Sequence, residues 1–384
     1  MKIYRILAKN IKENLKNSNK AILIYGARQV GKTTLAKDVI YDLRMNGAIK
    51  KPLVINADEG KYIDILSSRD AAKIQSLVAG YDLLFIDEAQ RIPDIGLNIK
   101  IIIDQLPGLK VMVTGSSSFD LADKVSEPLT GRAWNYTLFP IAVSELSHDL
   151  NPFELNYELE NLLVYGAYPE VITSNNLQSK LNVLQAIGRS YLYKDILALA
   201  NIKHSEKIVD LLKLLAFQLG SLVSINELSN HLNISRDAVS RYIELLEKSF
   251  VIFRLRGYSG NLRKEVGKMD KIYFYDLGIR NLVIDNFKQL KDRNDVGQLW
   301  ENFLMVERKK LLAYRGESAG SYFWRTKAGT ELDYVEEKGG QLSGYEFKYS
   351  ASAKKPPLNW TKNYPQAGFS LINKDNYLDF VGKI

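Results

Sequence analysis

The amino-acid sequence predicts an α/β fold built on a parallel sheet, followed by further helical and mixed segments. Between residues 21 and 140, short apolar runs alternate with longer stretches of helical periodicity. The runs lack the alternation of half-buried strands, which is typical of strands covered on both faces. Strands that alternate with helices favour a parallel sheet with right-handed crossovers. The runs are AILIYG, PLVINA, DLLFIDEA and KVMVTGSS.

The composition of the chain limits its chemistry. The 384 residues are 46% hydrophobic and 25% charged, which is typical of folded domains, and the length predicts about two or three of them. There is no cysteine, which excludes disulfides, thiol nucleophiles and cysteine-bound metals. The three histidines lie far apart in sequence, so a bound metal would have oxygen ligands, as Mg²⁺ does. The net charge of +8 permits a polyanionic partner without requiring one.

The first 20 residues have apolar side chains at helical spacing and predict a short amphipathic helix. This stretch has neither the long apolar core nor the small-residue cleavage site of a signal peptide. No apolar run in the sequence reaches the ~18 residues that a membrane-spanning helix needs. We therefore expect a cytoplasmic protein with no membrane partner.

A phosphate-binding pattern follows the first strand. The segment GARQVGKT fits GxxxxGK[ST] and stands between a strand and a helical stretch, the context that this pattern requires. Its glycines allow successive backbone N–H groups to surround phosphate oxygens, beside the positive end of the helix. Lys32 then reaches the β and γ phosphates, and the hydroxyl of Thr33 binds Mg²⁺. The predicted nucleotide-binding residues are Gly26, Ala27, Arg28, Gln29, Val30, Gly31, Lys32, Thr33, Thr34 and Ser116.

Two carboxylates end the strand LLFI. Asp87 and Glu88 emerge where a parallel sheet binds its ligands, at the carboxyl ends of the strands. We expect Asp87 to hold Mg²⁺ together with Thr33. Glu88 is placed to orient or deprotonate the attacking water, which predicts hydrolysis of the nucleotide.

Two polar groups follow the next strand along the chain. Ser116 or Ser117 is expected to hydrogen-bond the γ-phosphate or the water, and the alternative is a simple polar strand end. Arg132, in the segment LTGR, is a candidate to neutralise transition-state charge in a neighbouring subunit, which predicts a homo-oligomer. The alternative for Arg132 is a surface or interface arginine.

Residues 206–260 have the rhythm of a winged helix-turn-helix. SINELSNHL predicts a first helix, Ser235 is an N-cap candidate, and Arg236–Lys248 predicts a second helix, followed by FVIFRLRGY as a wing strand. The second helix would present Arg236, Ser240 and Arg241, which makes DNA a candidate partner. Several carboxylates in the same segment reduce any basic face, so a purely structural module is the alternative.

The last third of the chain contains a second acidic set. A helix carrying Glu301 precedes strands that carry Asp333 and the sequence Glu346-Phe347-Lys348. Strand periodicity puts Glu346 and Lys348 on one face. Carboxylates on adjacent strands can share Mg²⁺, and a nearby lysine can orient a water, as in the D…ExK layout of restriction-type nucleases. The predicted second metal site is Glu301, Asp333, Glu346 and Lys348, and the alternative is a scaffold with no bound metal.

Several segments resemble one known group of proteins. GARQVGKTTL, LLFIDEAQRI, VTGSSS and LTGRAWNYTLFPIAVSEL resemble an AAA-type ATPase of the large prokaryotic group similar to the archaeal ATPases. RKEVGKMDKIYFYDLGIRNLVI resembles the signature of its C-terminal region of unknown function. The resemblance implies a P-loop NTPase sheet, a helical lid, a winged helix and a restriction-endonuclease-like domain. It also implies ATP as the nucleotide, and the chain contains no guanine-reading NKxD sequence.

These features predict four segments and one combined function. The segments are 1–140, an AAA-type P-loop ATPase core; 141–205, a helical lid; 206–260, a winged helix; and 261–384, a nuclease-like domain. We expect an Mg²⁺-dependent ATPase that converts ATP to ADP and phosphate, whose nucleotide state controls the C-terminal half in action on DNA. The alternative is a nucleotide-gated switch that binds a partner protein and has no nuclease activity.

Overall fold

The structure is a computed structural model, and it describes residues 3–115, 129–189, 205–258, 269–350 and 353–382. The chain divides into two compact units. The N-terminal unit comprises Arg5–Phe139 and Lys248–Phe250, and the C-terminal unit comprises Met1–Tyr4, Pro140–Glu247 and Val251–Ile384. The predicted segments 141–205, 206–260 and 261–384 therefore lie almost wholly within one unit.

A five-stranded parallel sheet forms the centre of the N-terminal unit. Its strand order is β2-β3-β4-β1-β5. The strands are β1 (Ala21–Tyr25), β2 (Pro52–Asn56), β3 (Leu83–Asp87), β4 (Lys110–Gly115) and β5 (Ala133–Thr137). The helices are α1 (Leu7–Asn17), α2 (Lys32–Met45), α3 (Ile63–Leu66), α4 (Ala71–Val78) and α5 (Ile95–Gln105). The predicted mixed α/β fold with a parallel sheet is confirmed.

The four strands predicted from apolar runs are all present, and β5 is an addition. Every side chain of β1 is buried, and β3 and β4 are buried almost throughout, because helices cover both faces of the sheet. Strand β5 lies at the sheet edge, and its side chains are half-buried or exposed. Its sequence, AWNYT, therefore lacks the apolar run by which the other strands were predicted.

The predicted amphipathic helix at the start of the chain is α1. Leu7, Ile11 and Leu15 are its buried residues, and their spacing of four places them on one face. The predicted helix included the preceding residues, but α1 begins only at Leu7. In the described part of the chain, no helix combines the length and the apolar character needed to cross a membrane.

A seven-stranded mixed sheet organises the C-terminal unit. Its order is β12-β11-β10-β9-β7-β8-β6. The strands are β6 (Leu222–Val223), β7 (Ile252–Gly257), β8 (Asp270–Phe274), β9 (Gly320–Arg325), β10 (Glu331–Lys338), β11 (Gln341–Phe347) and β12 (Gly368–Ile372). The helices are α6 (Val143–Leu146), α7 (Pro152–Tyr165), α8 (Pro169–Thr173), α9 (Leu177–Ile187), α10 (Ser205–Phe217), α11 (Ile225–Leu232), α12 (Arg236–Lys248), α13 (Leu277–Val283), α14 (Val296–Arg315), α15 (Leu358–Asn363) and α16 (Tyr377–Val381).

Helix α7 has a capped start at Asn151 and ends before Gly166. The Asn151 side chain accepts hydrogen bonds from the backbone N–H groups of Phe153 and Glu154, and the Glu154 carboxylate accepts one from Asn151 N–H. This reciprocal cap fixes the first turn. The helix ends at Gly166, whose positive φ of 75° suits a residue without Cβ.

The described residues 205–258 and 269–274 form three helices and three short antiparallel strands. Along the chain the order is α10, β6, α11, α12, β7, β8, and β8 pairs with both β6 and β7. Ser224 and Ser235 accept hydrogen bonds from the first turns of α11 and α12 through their hydroxyls. Strand β7 also pairs in parallel with β9, so the predicted boundary at 260 falls inside one continuous sheet.

Candidate functional site

The loop between β1 and α2 has the backbone of a phosphate cradle. Gly26, Gln29 and Gly31 have positive φ angles of 149°, 61° and 94°. A Cβ on Gly26 would lie 2.2 Å from the carbonyl oxygen of Leu138, so only glycine fits there. Gly31 is the last residue before α2 and has no side chain that could cap the helix. The backbone N–H groups of the first turn, at the positive end of the helix, therefore face the loop without a side-chain cap.

The remaining loop residues differ in exposure. Ala27 and Val30 are buried and anchor the loop, whereas Arg28 is half-buried and Gln29 is exposed. Thr34, in the first turn of α2, is exposed. The loop can therefore meet a ligand through its backbone while two apolar side chains hold it in place.

Lys32 lies buried in the middle of this loop. Its ammonium group donates hydrogen bonds to the carbonyl oxygens of Gly26 and Ala27, at 3.0 and 2.8 Å. Burial lowers the pKa of Lys32 to about 8, although the carboxylates of Glu88 and Asp87 act to raise it. The lysine is thus a positive group held inside the phosphate cradle and poorly shielded by water.

Thr33 and Asp87 are in direct contact. The Thr33 hydroxyl lies 2.8 and 3.0 Å from the two carboxylate oxygens of Asp87. Thr33 is in the first turn of α2 and Asp87 ends β3, so the strand order brings together residues 54 positions apart. A hydroxyl and a carboxylate are both hard oxygen donors of the kind that Mg²⁺ prefers, so this donor set fits that ion.

Glu88 begins a sharp turn after β3. Its φ of 54° is unusual for a residue other than glycine. Its backbone N–H donates to the hydroxyl of Thr114 at 3.3 Å, and its carboxylate accepts from the amide of Gln90 at 2.5 Å. Asp87 ends β3 and Glu88 lies in the turn that follows, so the two adjacent acids have different hydrogen-bond partners.

Two residues at this site were missed by the sequence analysis. Thr114, the buried residue on β4 beside Asp87, hydrogen-bonds the Asp87 carboxylate. The pairing of Ile86 with Val113 places it there, and aligning the two strand ends could have found it. Arg5 donates to the carbonyl oxygens of Val30 and Phe139, at 3.0 and 2.7 Å. No local pattern reveals Arg5, because Val30 lies 25 residues and Phe139 134 residues away.

Of the remaining predicted residues of this region, the structure describes only Arg132. Ser116 lies outside the described residues, as does Ser117. Arg132 precedes β5, and its guanidinium Nε lies 2.8 Å from Asp104 Oδ1. The hydrogen bond to Asp104 raises the pKa of Arg132, which is charged in any case.

The second predicted set lies on β10, β11 and α14. Lys348 Nζ is 2.9 Å from Glu346 Oε1, and Lys354 contacts the same oxygen. The other carboxylate oxygen, Glu346 Oε2, is buried and has no hydrogen-bond partner among the residues that the structure describes. Two lysines thus compensate Glu346 from one side, and its second oxygen faces into the protein.

Asp333 is influenced electrostatically by both of the other carboxylates, Glu301 and Glu346. It accepts a hydrogen bond from the backbone N–H of Phe347 at 2.7 Å. Burial raises the pKa of Asp333 to about 7, and the charges of Glu301 and Glu346 add to this effect. The protonated, neutral form of this carboxyl is therefore favoured more than in an ordinary aspartate.

Glu301 has its own partners. Its Oε1 is 3.1 Å from Lys271 Nζ and accepts from the Tyr273 hydroxyl at 2.6 Å. Burial lowers the pKa of Lys271, but the carboxylates Glu301 and Glu331 outweigh this and raise it overall. Over the described residues, no three His, Asp or Glu side chains are grouped closely enough to hold a metal ion.

The residues predicted to face DNA are on α12. Arg236 donates to the Asn226 side chain at 3.3 Å, and the Arg241 guanidinium lies 5.8 Å from the centre of the Tyr242 ring. Both are exposed, as is Ser240. Carboxylate residues are close to these arginines in the sequence. The contacts therefore give no evidence of a purely basic face on this helix.

Three families match successive parts of the chain. Residues 18–147 match an AAA domain. Residues 156–290 and 296–376 match two domains of unknown function, DUF8612 and DUF4143. The first match, together with the loop geometry, supports a nucleotide-binding ATPase domain of the AAA type in this part of the chain.

Similar proteins occur in distant organisms. An uncharacterized protein of Mycobacterium tuberculosis is 27% identical over 335 residues, which cover 86% of this chain and 70% of that protein. One of Methanocaldococcus jannaschii is 26% identical over 374 residues, covering 88% and 75%. The similarity extends well beyond the AAA domain in both cases.

Solved structures give only weak overall matches. AMPPCP-bound DnaA from Aquifex aeolicus aligns with a TM-score of 0.33 at 17% identity, covering 62% of this chain and 86% of that one. A STAND protein from Pyrococcus horikoshii aligns with a TM-score of 0.32 at 13% identity, covering 82% and 47%. Overall similarity this low supports no statement about the present chain.

Proposed function

We propose that the N-terminal unit binds ATP with Mg²⁺ and hydrolyses it to ADP and phosphate. The contact between Thr33 and Asp87 is the observation that carries this proposal. It joins the two oxygen donors predicted for Mg²⁺ directly beside the phosphate loop. The match of residues 18–147 to an AAA domain supports the same function.

The phosphate loop has the features needed to hold a triphosphate. The positive φ angles of Gly26 and Gly31 give the loop a backbone in which N–H groups can surround a phosphate, and the buried Lys32 ammonium would supply a point charge for the β and γ phosphates. Thr33 and Asp87 would hold the ion. When bound, Mg²⁺ would supply positive charge that offsets the negative charge developing on the phosphate.

Glu88 is proposed as the residue that orients the attacking water and accepts its proton. Its turn at the end of β3 separates it from Asp87, which keeps one carboxylate for the metal and one for the water. Gln90, which donates to Glu88, would fix the direction of that carboxylate. The backbone of Glu88 is held by Thr114.

The experiment is a phosphate-release assay with ATP and Mg²⁺, repeated with EDTA. Glu88→Gln should retain ATP affinity and slow turnover about 10²–10⁴-fold, the usual effect of losing a positioned base. Glu59→Gln, an exposed change in the same unit, is the control and should match the wild type. Unchanged turnover in Glu88→Gln would remove Glu88 from the mechanism.

For the C-terminal unit, we propose a role controlled by the bound nucleotide. There are two candidate functions, an enzyme that acts on DNA and a switch that binds a partner protein. The order of α10, β6, α11, α12, β7 and β8 supports a winged helix, and therefore binding of DNA. The grouping of Asp333, Glu346 and Lys348 supports a nuclease-like domain. These are the features expected of an enzyme that acts on DNA.

The ion pairs favour the second candidate function, a switch that binds a partner protein and has no nuclease activity. Lysines already neutralise Glu346 and Glu301, so their charges are balanced without a metal ion. Asp333 reduces the remaining repulsion by its raised pKa. We therefore propose that this cluster is a scaffold.

A plasmid-cleavage assay with Mn²⁺, with and without ATP, separates the two candidate functions. The scaffold proposal predicts no cleavage and no Mn²⁺ binding by calorimetry. Cleavage that persists in Lys32→Ala but is lost in Glu346→Ala would identify an active nuclease. Glu337→Ala, on the neighbouring strand β10, is the control for the loss of a carboxylate from the same sheet.

A further inference from the structure

An apolar groove lies along helix α7 in the C-terminal unit. It has a volume of about 740 Å³ and is lined by residues of α7 and of the segment from Ile172 to Leu177. Phe153, Tyr157 and Leu177 border it and are 79%, 76% and 54% exposed. Single exposed apolar residues are normal on a protein surface, but several around one groove mark an interaction site.

The helix that carries the aromatic pair is firmly held. Phe153 and Tyr157 are four residues apart and therefore lie on the same face of α7. The opposite side of the helix contributes Leu155, Leu159 and Leu162 to the buried interior. Aromatic side chains on a fixed helix lose little conformational freedom on binding, which favours their use as anchors.

The charge around the groove is negative, although the chain as a whole is positive. Asp149, Glu154 and Glu158 line the groove. Among the described residues that line it, Lys180 alone is basic. Between residues 145 and 180 the sequence has six carboxylate residues and one lysine, in a chain of net charge +8. This distribution favours a cationic occupant.

We propose that this groove binds an amphipathic helical segment of a partner protein, with an apolar face flanked by lysine or arginine. The apolar face would rest on Phe153, Tyr157 and Leu177, and the basic side chains would meet the carboxylates at the rim. This is the helix-in-groove mode of recognition. The wide exposure of both aromatic rings suits a groove for a peptide better than an enclosed site for a small molecule.

The acidic rim also decides against a membrane surface as the occupant. Anionic lipid headgroups would be repelled by Asp149, Glu154 and Glu158. The proposal is separate from the nucleotide site, since all of the lining residues belong to the C-terminal unit. It can therefore be tested on the full chain without ATP, and in Lys32→Ala as well.

The test uses two labelled synthetic helical peptides of about 18 residues. One has a leucine face flanked by lysines, and its counterpart has glutamates at the lysine positions. Fluorescence anisotropy with the full chain should show binding of the lysine peptide only, weaker at high salt. Phe153→Ser combined with Tyr157→Ser should weaken binding at least about tenfold, since two exposed anchors are lost.

Glu158→Lys should weaken binding of the lysine peptide and strengthen that of the glutamate peptide. Phe217→Ser removes an aromatic ring that is 69% exposed on α10, outside the groove, and is the matched control. Unfolding temperatures check that each variant is folded. Failure to bind, equal binding of both peptides, or binding unaffected by the double substitution would overturn the proposal. So would self-association that the double substitution abolishes, because a second copy would then be the occupant.

Discussion

The hydroxyl of Thr33 contacts both carboxylate oxygens of Asp87, at 2.8 and 3.0 Å. Thr33 lies in the first turn of α2, the helix after the phosphate loop, and Asp87 ends β3, which lies two places from β1 in the sheet. The parallel order β3-β4-β1 brings the carboxyl ends of these strands to one edge. This contact joins two sequence motifs into one site and is the basis of the first three predictions.

Replacing Lys32 by alanine should abolish ATP binding. Lys32 is the buried cation within the phosphate loop, and its ammonium lies between the carbonyls of Gly26 and Ala27. Isothermal titration calorimetry measures the effect, with Lys37→Ala on the exposed face of the same helix as control. ATP bound by Lys32→Ala with wild-type affinity would contradict the assignment of the loop.

ATP binding should take up a proton in alkaline solution. With a pKa of about 8, Lys32 is mostly charged at neutral pH and loses its proton as the pH rises. Phosphate groups favour the charged form and raise this pKa in the complex, so affinity falls by up to about tenfold per pH unit above it.

Calorimetry at about pH 9 in buffers of different ionisation enthalpy detects the proton uptake directly. Lys32→Arg, which stays charged, should show no such buffer dependence if it retains binding. A binding enthalpy that is the same in every buffer at this pH would contradict a lowered pKa for Lys32.

Thr114→Val should slow ATP turnover while changing ATP affinity little. The Thr114 hydroxyl contacts Asp87 and accepts the backbone N–H of Glu88, so it positions both acids. Losing a buried hydrogen bond to a charged group corresponds to roughly a 10- to 100-fold loss of rate. Steady-state kinetics are compared with Thr137→Val, a change on the edge strand of the same sheet. Equal rates would show that Thr114 has no positioning role.

If Arg132 acts in a neighbouring subunit, the ATPase rate per chain should rise with protein concentration. The ion pair between Arg132 and Asp104 lies on the surface, and such pairs are weak enough to exchange. Arg132→Ala should lose the rise without losing ATP affinity, and Asp104→Asn should retain it. A concentration-independent rate in a chain that light scattering finds monomeric would make Arg132 structural.

Asp333→Asn should stabilise the protein more at alkaline than at acidic pH. The raised pKa of Asp333, about 7, means that the folded state holds a proton that the unfolded state releases near pH 4. The stability gained from this proton is complete below about pH 4 and lost as the pH rises through 7.

Asparagine removes the charge and can still accept the hydrogen bond from Phe347 N–H. We expect an increase in Tm of roughly 2–4 °C at alkaline pH and a smaller one at about pH 5. Differential scanning calorimetry across this range is the measurement. An increase of the same size at every pH would contradict the raised pKa.

Much of the molecule follows from local sequence alone. The apolar runs specify β1, β3 and β4 because strands covered on both faces must be apolar throughout, whereas β2 was predicted from its apolar run although it lies at the sheet edge and is mostly half-buried or exposed. GxxxxGKT specifies the loop because its glycines permit positive φ angles at Gly26 and Gly31. The capped start of α7 is likewise encoded by neighbouring residues. Strand β5 was not predicted because its sequence, AWNYT, contains no continuous apolar run.

The tertiary structure alone decided which distant groups meet. Thr114 joins Asp87 through the register of two strands, and Arg5 reaches Val30 and Phe139 only because the chain folds back on itself. The ion pair between Lys354 and Glu346 likewise depends on the tertiary structure, because Lys354 lies outside the strand that carries Glu346. Local sequence determines hydrophobic periodicity and backbone preference. The pKa and the chemistry of a side chain depend on its burial and on its charged neighbours. These are set by packing between segments that lie far apart in the chain.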